Sequence, residues 1–67
     1  MITVYVNGNP VELPEHSTVL NLLEQLDMTQ GRLAVELNAG IVPRSQHSST
    51  PLNNGDVLEI VHAIGGG

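Results

Sequence analysis

The sequence closes on "HAIGGG", with Gly65, Gly66 and Gly67 directly behind a run of strand-forming residues. Glycine is the most costly residue to order. A chain that needs only a fold gains little from three in a row. A terminal carboxylate, however, can do chemistry once it is activated. In adenylation its oxygen attacks the α-phosphate of ATP and pyrophosphate leaves. An enzyme that does this must draw the last residues into a narrow site where side chains clash, and glycines thread there without a Cβ. The expectation is a rigid domain over residues 1–64 and a flexible glycine arm over 65–67. Gly67 is then the activated residue, and Gly65 and Gly66 are the threading positions.

The other chemically capable side chains have simpler readings. His16, His47 and His62 are far apart and there is no cysteine, so no metal-site spacing appears and surface histidines are expected. Glu12, Glu15 and Glu24 read as a solvated face, because nothing pairs two of them in a pocket. Asp56 after Gly55 reads as turn chemistry, its carboxylate bonding nearby amides. There is no Walker or Rossmann pattern, so no bound cofactor is expected and any ATP is held by a partner.

Two arginines, no lysine and seven acidic residues give a formal charge of -5. Such a surface cannot neutralise phosphates, which argues against nucleic acid and against an anionic membrane. Proteins with basic grooves suit it better. No apolar run is long enough to span a bilayer, and "MITVYV" carries no basic leader region, so the cytoplasm is the expected compartment.

The 67 residues make one small domain, and aliphatic side chains must build its core. "ITVYVN" alternates Ile2, Val4 and Val6 against Thr3, Tyr5 and Asn7, the period of a half-buried strand. Asn7-Gly8 predicts a hairpin, with Asn9-Pro10 irregular and a short strand over 11–13. Val19, Leu22, Leu23 and Leu26 fall at helical spacing, with Leu20 at the edge of the stripe. The helix is expected over 19–27, capped by Thr18 or Ser17 and closed by Gly31. "LAVELN" (33–38) returns to period two, Ala39-Gly40 reads as a turn, and 41–43 as a brief strand stopped by proline. "RSQHSST" reads as loop, Asn54-Gly55 as a tight turn, and 56–63 as the last strand. One amphipathic helix over a mixed sheet of four to five strands is the α+β solution for so short a chain. The best-patterned strands, first and last, are expected side by side in the centre, the β-grasp arrangement of ubiquitin.

Four stretches together resemble the sulfur carrier proteins of thiamine biosynthesis, the ThiS family. They are the opening "NG" with its short second strand, "TVLNLLEQL", "LNAGIVPR" and "LNNGDVLEIVHAIGGG". The likeness covers essentially the whole chain. It implies a ubiquitin-like β-grasp fold and a diglycine C-terminus that an E1-like adenylating enzyme activates at Gly67. A sulfur donor system then converts the adenylate to a thiocarboxylate, whose sulfur goes to thiazole synthase. The carrier is itself no enzyme in that scheme. Sulfur carriage for molybdopterin or cysteine synthesis, or a non-covalent ubiquitin-like binding module, are the alternatives. A free diglycine end argues against a pure adaptor, and "VPR" with "EIVHAIGGG" sides with the thiamine branch.

Alternation also predicts a docking face. If Leu58 and Ile60 point to the core, then Val57, Glu59 and Val61 point out, beside Thr3, Tyr5 and Glu36. This mixed apolar and acidic face lies at the root of the tail, and an open sheet face of that kind marks a protein contact. Thr3, Tyr5, Glu59 and Val61 are the docking candidates. Arg44, where the family carries Pro-Arg, is a further one.

Overall fold

A computed structural model of the chain describes residues 1–62. The alternating pattern of the first stretch forms β1 (Ile2–Val6), and the hairpin returns as β2 (Asn9–Leu13). Asn7 and Gly8 both take positive φ, 50° and 87°, as a two-residue hairpin turn of this twist requires. β2 starts earlier than expected, because Asn9 and Pro10 pair with Val6 and Tyr5. Proline is tolerated there because β2 lies at the edge of the sheet.

The apolar stripe forms α1 (Val19–Gln25). Thr18 caps it: its Oγ1 accepts from the Asn21 N–H at 3.2 Å, and Asn21 Oδ1 accepts from the Thr18 N–H at 2.9 Å. That reciprocal pair satisfies two donors that a helix start leaves free. Ser17 is buried instead, donating to the Pro14 carbonyl at 2.7 Å. The end of the helix differs from expectation. Leu26 is the cap residue, and Asp27 takes the left-handed position at φ 57°. Met28 N–H reaches the Leu23 carbonyl and Asp27 N–H the Glu24 carbonyl, a Schellman closure. The helix is therefore complete four residues before Gly31, because an aspartate does what glycine usually does.

β3 (Leu33–Leu37) and β4 (Gly40–Val42) form a second hairpin, and β5 (Val57–His62) completes a sheet in the order β2-β1-β5-β3-β4. β1 and β5 are parallel neighbours, and the other pairings are antiparallel. The turn between β3 and β4 is Asn38-Ala39, at φ 50° and 72°, and Gly40 belongs to the strand. Alanine in the left-handed region carries about 1–2 kcal/mol of strain. Ala39→Gly should therefore stabilise the fold by about 0.5–1 kcal/mol, after allowing for the greater freedom of glycine in the unfolded chain. A thermal melt checks this, and a lowered midpoint would mean that the Ala39 methyl group packs.

The stretch expected to be loop, 44–50, contains a 3₁₀ helix, Arg44–Ser49. Gln46 N–H donates to the Pro43 carbonyl, and Thr50 Oγ1 to the Gln46 carbonyl at 2.7 Å. Polar side chains hide such a turn from any hydrophobic period, because short-range backbone bonds hold it. α1 and this turn lie together on one side of the sheet. Beneath them Val4, Leu13, Val19, Leu22, Leu23, Val35, Leu58 and Ile60 are almost wholly buried.

Candidate functional site

The opposite side of the sheet is open. Tyr5 is 42% exposed, Val57 51% and Val61 56%, against 0% and 3% for Leu58 and Ile60 between them. The two faces of β5 are therefore assigned as the alternation predicted. Thr3 sits half-buried on the same face, across from Glu12. On β3, Ala34 lies opposite Val61 and Glu36 opposite Glu59, and exposed Ile41 of β4 lies opposite Glu36. The face thus alternates apolar and acidic groups, and Glu36 and Glu59 are direct cross-strand neighbours. Like charges so placed destabilise a sheet. Neither has a cationic partner, because the one ion pair among the described residues joins the N-terminus to Glu15, at 3.9 Å.

Thr3, Tyr5, Glu59 and Val61 are brought together on this face; Arg44 is not. It opens the 3₁₀ helix and borders a hollow on the other side of the sheet, with Leu20 and Leu23 of α1. His16 and His62 are exposed, as expected, but His47 is not. Its ring is buried, with Nε2 3.2 Å from the Val42 carbonyl oxygen. The 3₁₀ turn directs it inward, which no spacing in the sequence signalled. Asp56 bonds as expected, its carboxylate accepting from the Asn53 N–H at 2.8 Å.

Three asparagines that read only as turn residues, or as part of a strand end, also brace the central strands. Asn7 accepts from the Ile60 N–H through Oδ1 and donates to the Ile60 carbonyl through Nδ2, both at 2.9 Å. Its amide continues the parallel β1–β5 ladder past the point where β1 turns away. Asn38 Oδ1 accepts from the Val57 N–H at 3.0 Å, and Asn54 Oδ1 from the Thr3 N–H at 2.8 Å. The sequence signal is asparagine at the first position of a tight turn, where positive φ and an amide side chain are compatible. Asn7 and Asn38 thus hold β5 from both sides, and β5 is the strand that leads toward the glycines. It ends at His62, opposite Leu33. Gly65, Gly66 and Gly67 lie outside the described residues, so the expected arm and the 1–64 domain boundary fall there too.

A mixed five-stranded sheet with parallel β1 and β5 at its heart and one α-helix across one face is a ubiquitin-like β-grasp fold. Its first and last strands are central neighbours, as expected. The ThiS family model matches residues 4–67, and the chain belongs to the ThiS family. It is similar to the crystal structure of the thiamine biosynthesis protein ThiS from Geobacter metallireducens, with 32% identity and a TM-score of 0.84. That match covers 98% of this chain and 100% of the other. It is 34% identical to the sulfur carrier protein ThiS of Escherichia coli K12, over 96% of this chain and 97% of that protein. A thiazole synthase of Paramagnetospirillum magneticum is 42% identical over 92% of this chain, which corresponds to 19% of that longer protein. The resemblance drawn from the "NG", "VPR" and "GGG" stretches is thereby borne out, and the fold and family are those of a sulfur carrier of thiamine biosynthesis. Among the described residues no helix is long and apolar enough to cross a membrane.

Proposed function

We propose that this chain carries sulfur on the carboxylate of Gly67 for construction of the thiazole ring of thiamine. The observation that supports this most directly is the family match, which runs through Gly67. The carboxylate oxygen attacks the α-phosphorus of ATP on an E1-like enzyme, and pyrophosphate departs. Sulfide-level sulfur delivered by a donor system then attacks the acyl carbon as hydrosulfide, the new C–S bond replaces the bond to AMP, AMP leaves, and a thiocarboxylate remains. Thiazole synthase takes the sulfur. The chain is a co-substrate in this scheme, catalyses nothing, binds no cofactor of its own and works in the cytoplasm.

The open face selects the partner. A glycine arm carries almost no sequence information, so discrimination needs a second contact. Tyr5, Val57 and Val61 offer apolar area, and Thr3 lies beside Tyr5 on that face. Glu12, Glu36 and Glu59 add negative charge, which favours an enzyme surface with cationic groups between apolar ones.

The test is intact-protein mass after incubation with ATP and the adenylating enzyme. An AMP adduct at Gly67 is expected, then a thiocarboxylate once the sulfur donor is added. Deleting Gly67 should abolish both. A shortened chain that is still adenylated at its new end would overturn the assignment of Gly67.

A further inference from the structure

The chain has two arginines, and Arg44 lies on the side of the sheet away from the acidic face. Arg44 borders a hollow of about 160 Å³ whose apolar lining includes Leu20, Leu23, Met28 and Leu33. Arg32 lies between two residues that line it, Gly31 and Leu33. No ion pair or side-chain hydrogen bond holds either arginine among the described residues.

His47 lines the same hollow and is only 7% exposed. Its Nε2 faces the Val42 carbonyl. A carbonyl only accepts, so Nε2 carries the proton in the neutral ring and Nδ1 is left as an acceptor. Nδ1 has no hydrogen-bond partner among the described residues, yet no described buried side-chain nitrogen or oxygen lacks one. Nδ1 is therefore not fully enclosed, and His47 is one of the residues that line the hollow. An apolar floor, one acceptor and one cation thus converge in a space that would hold about five waters.

From this convergence we propose that the hollow is a second docking point, for a protein segment that presents an aliphatic side chain followed by an acidic one. The aliphatic group fills the floor, a backbone N–H of the segment donates to His47 Nδ1, and the carboxylate accepts from the Arg44 guanidinium. A short peptide segment supplies these three features together. The charge distribution supports the same division: the acidic sheet face suits a basic partner, and the arginine-flanked hollow suits an acidic one. The carrier then presents different surfaces to partners of opposite charge, independently of the chemistry at Gly67.

The test uses the full chain, labelled with ¹⁵N, titrated with the blocked dipeptide acetyl-Leu-Asp-methylamide. Saturable shifts are expected at the amides of Leu20, Leu23, Leu33 and His47, with movement of the His47 Nδ1 resonance. The Asn analogue of the probe, and the exposed-site variant Arg44→Gln with the original probe, should each bind about tenfold more weakly, because a charge-assisted bond is lost. The proposal is overturned by any of three results. They are no saturable shift at about 20 mM probe, well above a 1 mM Kd; shifts centred on Thr3 and Tyr5; or unchanged binding by Arg44→Gln. Adenylation is read separately by mass, so failure at Gly67 and failure of the hollow are distinguishable.

Discussion

Leu58→Ala should remove about 2–5 kcal/mol of stability, and Val61→Glu, three residues along the same strand, should change it by less than about 1 kcal/mol. Leu58 is fully buried on the central strand, and Val61 is 56% exposed on the open side. Removing three carbons from Leu58 leaves a cavity between the sheet and α1 that a packed core cannot close. A domain of this length has roughly 3–10 kcal/mol in total, so the midpoint of melting should fall by at least about 10 °C. Val61→Glu instead adds a carboxylate to a face that already holds Glu36 and Glu59, and water can solvate it. Its effect should appear as weaker binding to the adenylating enzyme. Both variants are read by melting temperature and by partner affinity. Unchanged affinity with Val61→Glu would move docking away from this face. A collapse in its stability would contradict the exposure of Val61.

The second large effect is expected at Asn7. Its side chain makes two hydrogen bonds to the Ile60 backbone while its own φ is 50°. Asn7→Ala leaves the N–H and carbonyl of part of the central strand without their partners, and keeps a Cβ in a conformation that alanine disfavours. Two bonds at about 1 kcal/mol each, plus the backbone term, give a loss of about 2–4 kcal/mol. Asn7→Asp is the sharper probe. Its carboxylate still accepts from the Ile60 N–H but cannot donate to the Ile60 carbonyl, and it brings negative charge there instead. Above the carboxylate range it should destabilise the fold, and the deficit should shrink as acid protonates the new side chain. Amide hydrogen exchange at Ile60 should accelerate in both variants. Protection at Ile60 equal to that of the parent chain would show that the asparagine bridge contributes nothing.

The acidic pair on the open face bears on this stability as well. Glu36 and Glu59 stand directly opposite each other, and neither is ion-paired among the described residues. Fold stability alone would favour relieving that repulsion. Under the proposed docking of this face, a cationic partner surface would offset that cost, because the same charges become favourable once paired.

Much of this protein follows from local patterns. Period-two alternation placed Ile2, Val4 and Val6 inward and Thr3 and Tyr5 outward, because a strand allows no other arrangement of neighbouring side chains. Helical spacing located α1, and "NG" located the first hairpin, since backbone sterics restrict positive φ to few residue types. The ordered set ending in three glycines identified the family. Longer-range and purely backbone effects were decided only in three dimensions. Asp27 could replace Gly31 as the helix stop because the Schellman bonds of Met28 and Asp27 offset the strain of its φ. Ala39 entered the left-handed region because strands β3 and β4 on either side impose the turn. His47 became buried because the 3₁₀ turn after Pro43 aims it at Val42. The amide of Asn7 meets Ile60, 53 positions away in the chain, only because β1 and β5 lie side by side. Hydrogen bonds between residues so distant leave no period in a sequence, and so the bracing of the strand that precedes the three glycines became visible only in the folded chain.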